Sequence, residues 1–328
     1  MDINKSLIPK RDSTLVKGIL ILLIILGHNS ILMQERAIFD YLYHFHVYLF
    51  LLLPFLYNIP QLTVKRIRKD FIHIYKPYTI TYFVLVLINT FVLNSEFNII
   101  QTLYAYISGN EYLLRANIGA SFLWFMPTMF SLLLLRNLLL NKQTKILWSF
   151  VIVSLLAFVA TRITWITTVY EYPYLIIGSA VSIVYFSIAV LSRYIYEKYH
   201  NIRYFELISC IVFILASILN FYEFNGMIYN IVAWVILPIS ALYALITIVK
   251  CFNDNHISTK CIHFLGNESL PIYLFHVIIY NAILLTVEKL HIVQNYIIGC
   301  ATYIVTITVT LILIYVCKKI RIYNFIFN

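Results

Sequence analysis

The stretch that decides the fold is "LVKGILILLIILGHNS", residues 15–30. Leucine and isoleucine fill every position between Lys17 and His28 except the first and the last, which are glycines, and this is typical of a helix buried in a membrane. Lysine and histidine are costly side chains in such a helix, and an ionisable residue inside a span is by default a candidate for function. The stretch therefore predicts a membrane helix and makes Lys17 and His28 candidate functional residues.

The composition is that of an integral membrane protein. Of the 328 residues, 62% are hydrophobic and 12% are charged, whereas a soluble domain carries about 25% charged residues. The net charge of +10 does not indicate nucleic-acid binding, because the basic residues follow the pattern of membrane topology. The five cysteines lack metal-type spacing, so neither a disulfide framework nor a zinc site is expected.

Ten mostly apolar stretches, each of about 20 residues, predict ten transmembrane helices. None of them alternates polar and apolar residues with a period of two, so we expect an all-α bundle and not a membrane barrel. The predicted spans are residues 15–33, 38–58, 71–93, 121–140, 146–166, 173–191, 204–222, 227–249, 270–290 and 295–317.

The basic residues predict the orientation of these spans. Eighteen of the 24 lysines and arginines fall in the two terminal tails and in every second connection, and four fall in the remaining connections. An excess of lysine and arginine marks cytoplasmic loops. We therefore predict a multi-pass membrane protein with both termini in the cytoplasm, and the Ile-, Asn-, Lys- and Tyr-rich composition indicates the plasma membrane of a bacterium. We expect one domain over residues 1–328, with no appended soluble domain.

Two histidines are predicted at a matched depth in the outer half of the membrane. At 1.5 Å per residue, His28 lies about 8 Å and His46 about 12 Å from the outer ends of neighbouring helices. His44 should face another side. Imidazole titrates near neutral pH and can take a hydroxyl proton, so the pair predicts a general base, with a purely structural hydrogen bond as the alternative. A metal site is not expected, because no third ligand has suitable spacing. Lys17 could simply reach the cytoplasmic headgroups.

The longest external connection is predicted at residues 94–120. It carries three tyrosines that could stack on sugar rings or anchor the segment at the membrane interface. These are Tyr104, Tyr106 and Tyr112.

Five motifs in order resemble the acyltransferase-3 family of integral membrane acyltransferases. In the first, a basic residue precedes a histidine by eleven positions and the helix ends in Gly-His; Lys17, Gly27 and His28 match, with lysine where many members have arginine. The motifs spread over nearly the whole chain. They are "DSTLVKGILILLIILGH" (12–28), "YHFHVYLFLLLPFLY" (43–57), "KRIRKDFIHIYKPY" (65–78), "FLWFMPTMF" (122–130) and "FLGNESLPIYLFHVII" (264–279).

The resemblance implies an activity. Members of this family transfer an acyl group, usually acetyl from acetyl-CoA, to a hydroxyl of a surface carbohydrate or lipid. The expected acceptor is a polysaccharide such as a capsule or O-antigen, or its lipid-linked precursor. The implied partners are acetyl-CoA, this glycan and the lipid bilayer, without nucleic acid and without a permanently bound cofactor.

The resemblance also implies roles for the matched residues. His28 would be the general base, and Lys17, about 16 Å away along the helix, would hold the donor from the cytoplasmic side. His46 is the further catalytic candidate. For the two arginines below, the positive charge of cytoplasmic loops is a sufficient alternative explanation. The residues expected to bind donor or acceptor are Arg66, Arg68, Tyr78, Trp124, Tyr273 and His276.

Two other functions stay open. The protein could export an oligosaccharide without acylating it, and a transporter would be expected to show broken helices or internal repeats, which the sequence does not reveal. It could also be a structural partner of a glycan synthase, for which the sequence gives no positive sign.

Overall fold

The computed structural model describes residues 5–91, 98–140, 144–163, 181–221, 229 and 231–327. Within these residues the chain is helical and contains no β-strand, which confirms the predicted all-α class there. The α-helices are α1 Lys10–Gly27, α2 Arg36–Tyr43, α3 His46–Leu52, α4 Val64–Phe91, α5 Ile99–Ser108, α6 Glu111–Ile118, α7 Phe125–Leu139, α8 Thr144–Ile163, α9 Val181–Tyr199, α10 Phe205–Phe221, α11 Leu237–Lys250, α12 Ile257–Asn267, α13 Ser269–Lys289, α14 Tyr296–Lys319 and α15 Ile322–Phe327.

Within the described residues, six helical segments are long and apolar enough to cross a membrane. Their number and apolar character confirm a multi-pass membrane protein. The count of ten spans and the cytoplasmic side of both termini stay predictions. Residues 164–180, which hold parts of two predicted spans, lie outside the described residues. The six segments are Arg36–Leu56, Val64–Phe91, Ser121–Leu139, Val232–Lys250, Ser269–Lys289 and Tyr296–Lys319.

Helix α1 ends at Gly27, earlier than the predicted end at residue 33. The chain leaves the helical path there because of a local hydrogen bond: the side-chain oxygen of Asn29 accepts the backbone N–H of Leu32 at 3.1 Å. Asparagine competes with the helical hydrogen-bond pattern in this way. His28 is therefore the first residue after the helix and not a residue inside it.

The second predicted span, residues 38–58, is not one continuous helix. It consists of α2, α3 and a 3-10 turn, Leu53–Leu56, with an interruption at His44 and Phe45. Phe45 has φ −137° and ψ −38°, outside the helical range. The expectation of unbroken helices, used above against a transporter, was therefore wrong at this place.

The described part of the predicted external connection contains helices α5 and α6. The side chains of Asn98 and Asn110 accept the first backbone N–H groups of these helices. Gly109 and Gly119, with φ of +58° and +62°, end them in the left-handed conformation that glycine adopts without strain. The segment is therefore an ordered helical pair.

Three tyrosines fasten α5 to α4 through backbone carbonyls and ring stacking. The hydroxyl of Tyr78 donates to the carbonyl of Tyr106 at 2.9 Å, and that of Tyr82 donates to the carbonyl of Thr102 at 2.6 Å. The rings of Tyr78 and Tyr106 stack with centroids 5.3 Å apart. Tyr106 is thus half-buried against α4, whereas Tyr104 and Tyr112 are exposed.

The chain forms two compact units. One comprises the described parts of Met1–Ser6, Tyr57–Arg193 and Asn324–Asn328, and the other comprises Leu7–Leu56 and Tyr194–Tyr323. The single domain over residues 1–328 stays a prediction.

In the second unit, α1 and α12 pack with their backbones in contact. A Cβ on Gly18 would lie 2.0 Å from the carbonyl oxygen of Ile262, and one on Gly266 would lie 1.9 Å from that of Thr14. Small residues allow this close approach between membrane helices. Since α12 leads directly into α13, the contact sets α1 against the helix that carries His276.

Candidate active site built from three histidines

The end of α1 presents His28 to two aromatic rings. The backbone N–H of His28 donates to the carbonyl of Ile24 at 3.1 Å, which extends the helical pattern one residue past Gly27. The imidazole is half-buried. Its centroid lies 5.1 Å from that of His276, with the ring planes at 59°, and 6.3 Å from that of Tyr43, edge to face.

The neighbouring residue ties this end of α1 to α14. Asn29 is 1% exposed, and its Nδ2 donates to the carbonyl of Gly299 at 3.0 Å and to Oγ1 of Thr302 at 3.1 Å. Its Oδ1 accepts the N–H of Leu32. With both ends of the amide bonded, Asn29 holds the chain at His28 in one place.

His276 supplies the ring against which His28 packs. It is fully buried in α13, and its Nδ1–H donates to the carbonyl of Ile272, one turn earlier, at 3.0 Å. A neutral imidazole with its proton on Nδ1 carries a lone pair on Nε2. Tyr273, 5% exposed, is the other predicted binding residue of this helix, with its ring 6.0 Å from His276.

His46 joins the cluster from the first turn of α3. It is fully buried, and its Nδ1–H donates to the carbonyl of Leu42 at 2.5 Å. Among the described residues, no hydrogen-bond partner reaches its Nε2. The ring of Tyr43 stands edge-on to it, with centroids 4.8 Å apart. A buried polar atom left without a partner is uncommon in native proteins and needs an explanation.

Gly27 lets α1 come close to His46. A Cβ at this position would lie 3.1 Å from Nε2 of His46 and 3.4 Å from the ring of Tyr43. The first distance is too short for an ordinary carbon contact, so a side chain would push the imidazole away. The glycine of the Gly-His pair thus has a steric reason.

The proton positions limit what the cluster can do. His46 and His276 have Nδ1–H committed to a backbone carbonyl, so while neutral they cannot donate a hydrogen bond from Nε2 to a developing oxyanion. They can accept one from a hydroxyl group. In the described part of the chain, no group of three or more His, Cys, Asp or Glu is arranged to hold a metal ion.

Lys17 lies on α1 two to three turns before the cluster. It is half-buried and makes no hydrogen bond or ion pair with any described residue. At 1.5 Å per residue, it lies about 16 Å from His28. The two residues therefore belong to different parts of any bound molecule.

The remaining predicted residues lie in the other compact unit. Arg66 pairs with Asp70 one turn on, with Nε and Oδ2 2.8 Å apart, and Arg68 is exposed. Tyr78 is buried and bonded to a backbone carbonyl, which is a structural contact. Trp124 is half-buried at the start of α7, beside Phe125.

Charged contacts on the predicted cytoplasmic side fasten the start of α13. Glu268, which precedes α13, accepts Nζ of Lys318 at 2.5 Å and the hydroxyl of Tyr323 at 3.0 Å. Burial, followed by the charge of Glu268, raises the pKa of Tyr323 to about 12, so the phenol stays a donor at neutral pH. Arg11 likewise bonds Asp254 at 2.7 Å, and this hydrogen bond raises the pKa of Arg11.

Sequence reasoning missed Tyr43 and Asn29. Asn29 follows the Gly-His pair at the end of an apolar stretch, and a polar residue at such a place indicates a buried hydrogen-bonding role. Tyr43 stands three residues before His46, but only the interruption after α2 shows that the two rings meet.

Comparison with models of protein families matches residues 11–317 to an acyltransferase domain. No curated protein and no solved structure matches the chain.

Proposed function

Because the chain belongs to the acyltransferase-3 family, we propose that it moves an acetyl group from acetyl-CoA to a hydroxyl of a cell-surface polysaccharide or its lipid-linked precursor. Acyl transfer itself follows from the family. The donor, the acceptor and the general base are the proposal, as is the plasma membrane of a bacterium as its location.

One observation carries the proposal: three imidazoles from separate segments of the chain meet at the end of α1. His28 packs against His276, and His46 lies next to Gly27, the residue before His28. Structural histidines within a membrane are each expected to find a partner, yet Nε2 of His46 has none among the described residues. Imidazole has the proton affinity that a hydroxyl-activating base needs.

In the proposed step, Nε2 or Nδ1 of His28 takes the proton of the acceptor hydroxyl. The hydroxyl oxygen then forms a bond to the carbonyl carbon of the thioester. The carbon–sulfur bond breaks, and the departing CoA sulfur takes the proton back from His28. The products are the acetyl ester and CoA thiol, so atoms and charge balance. His46 and His276, as acceptors, would orient the hydroxyl and not the oxyanion.

Lys17 supports a donor that enters from the predicted cytoplasmic side. Its ammonium group makes no contact with a described carboxylate and lies about 16 Å from His28 along the helix. A long donor could be held near Lys17 by a negatively charged group while its thioester reaches His28. Replacement of Lys17 by alanine should then raise the KM for acetyl-CoA and leave that for the acceptor unchanged.

Reconstitution tests the proposal. Purified protein is placed in liposomes with acetyl-labelled acetyl-CoA and the deacetylated surface glycan of the bacterium that encodes it. Label should appear in the glycan as an ester that mild base removes. Absence of labelled ester with correctly folded protein and both substrates on either side of the membrane would overturn the proposal.

Oligosaccharide export remains the second candidate because two predicted spans are interrupted. Residues 44–45 separate α2 from α3, and a π-helical turn, Val232–Ile236, precedes α11. Irregular backbone at membrane depth is tolerated where it lines a polar path. The same liposomes discriminate, since export predicts glycan movement across the membrane without ester formation.

A further inference from the structure

His44 lies on the other side of the chain interruption from His46 and takes no part in the step above. It is 9% exposed, and its ring stands edge-on to the ring of Trp234, with centroids 4.9 Å apart. Tyr229 lies 6.1 Å from His44, and Tyr48 lies 5.5 Å from Trp234. His44 and His46 thus contact different groups of residues, although only one residue separates them in the chain.

Both backbones that carry this group are irregular. Trp234 lies within the π-helical turn Val232–Ile236, and His44 lies at the interruption between α2 and α3. π-helical turns are rare in proteins, and those that do occur are often found at functional sites. These two irregular segments meet through the rings of His44 and Trp234. Helix packing alone does not require such an arrangement.

A buried amide with a spare acceptor lies on the neighbouring helix. Asn220 of α10 is 3% exposed, and no donor among the described residues reaches its Oδ1. One turn earlier, the hydroxyl of Ser217 is 2.8 Å from that of Tyr41 in α2, and Phe221 stacks on Tyr41 at 4.6 Å. Tyr41 precedes His44 by one turn, and α10 also packs against the π-helical turn.

We propose that Trp234, His44 and Asn220 form a binding subsite for a sugar ring of the acceptor glycan. The half-buried indole offers an apolar face for the C–H face of a pyranose, and His44 and Asn220 offer hydrogen bonds to its hydroxyl or acetamido groups. An alkyl chain of a lipid fits less well, because it would leave the buried Oδ1 of Asn220 without a hydrogen-bond donor.

This subsite rests on the proposed function only for the identity of the glycan as acyl acceptor. Its place beside the interruption between α2 and α3, which also sets His46, lets one sugar be held while a hydroxyl of another part of the glycan reaches the histidine cluster. The prediction is therefore a change in acceptor binding and not in donor binding.

The test compares Trp234→Ala, Trp234→Phe and Asn220→Leu with the wild type. Fragments of the deacetylated surface glycan are titrated by calorimetry, and transfer is measured in liposomes. Trp234→Ala should weaken fragment binding and raise the acceptor KM about tenfold, Trp234→Phe should recover most of the affinity, and the KM for acetyl-CoA should stay unchanged. Trp148→Ala, a half-buried tryptophan of α8, is the matched control.

Each outcome separates the subsite from the activity. Transfer with an unaltered acceptor KM in folded Trp234→Ala and Asn220→Leu overturns the subsite and leaves the activity standing. Glycan binding that depends on Trp234 without any ester formation supports the subsite and overturns the acyl-transfer step. If Trp234→Ala does not fold, as judged by gel filtration and thermal melting, Asn220→Leu decides by the same two measurements. No binding of the fragments to wild-type protein overturns the subsite.

Discussion

The tyrosine cluster of α4 and α5 and the histidine cluster at the end of α1 differ in how their polar atoms are hydrogen-bonded. Both place polar aromatic side chains in the apolar interior. The hydroxyls of Tyr78 and Tyr82 each donate to a backbone carbonyl at hydrogen-bond distance. In the histidine cluster, Nδ1 of His46 is bonded in the same way, but its Nε2 meets no partner among the described residues.

This difference distinguishes the tyrosine cluster, which has a structural role, from the histidine cluster, which has an atom available for chemistry. A tyrosine whose single donor is bonded has no donor left for a ligand and no group that can take up a proton near neutral pH, whereas a neutral histidine held through Nδ1–H keeps the basic Nε2 for a substrate. Backbone bonding therefore stabilises the tyrosine cluster and orients the histidine cluster. The variants below test this contrast, ordered by expected effect on transfer.

Among the residues around His28, the largest effect is expected for His276→Ala. This change removes the ring that packs against His28, and transfer should fall about 100-fold because a misplaced base and hydroxyl react that much more slowly. The measurement is kcat in liposomes. The control is His256→Ala, which removes an exposed histidine. Equal rates for the two variants would remove His276 from the site.

A smaller effect is expected for Asn29→Ala. Loss of its bonds to Gly299 and Thr302 frees the chain that carries His28, so kcat should fall about tenfold while both KM values stay unchanged. The free energy of unfolding should fall by about 1–3 kcal/mol, because buried partners lose a hydrogen bond. An unaltered kcat with lowered stability would make Asn29 structural only. Asn255→Ala, on an exposed turn, is the control.

Gly27→Ala should lower kcat a few-fold through His46. The added Cβ would lie 3.1 Å from Nε2 of that ring and displace it. A double-mutant cycle isolates the cause: in a His46→Ala background the same change should have no further effect. Additive losses in the cycle would contradict the steric account.

The smallest effect on transfer is expected for Tyr78→Phe and Tyr82→Phe. Each removes a hydroxyl bonded to a backbone carbonyl, which should cost about 0.5–1.5 kcal/mol of unfolding free energy. The specific activity of the folded protein should be that of the wild type. A large loss of kcat or a raised donor KM for Tyr78→Phe would instead return Tyr78 to the binding residues that the sequence predicts.

The sequence predicts helix type and membrane character well because hydrophobic runs and basic loops record them directly. It also predicts His28, His46, His276 and Tyr273, which the structure places in one unit. It cannot predict how the chain is held in place after Gly27, since this depends on Asn29 bonding α14, far away in the chain. Nor does local apolarity reveal the interruption at His44 and Phe45, because apolar and aromatic side chains stand directly on both sides of it.

The central claim is that His28 activates the acceptor hydroxyl, and the direct measurement is transfer by His28→Ala in liposomes with labelled acetyl-CoA. Acetyl-CoA binding is measured in parallel by equilibrium dialysis. The account predicts that ester formation falls 10²–10⁴-fold while the folded variant binds acetyl-CoA as the wild type does. Ester formation by the variant at the wild-type rate would contradict it.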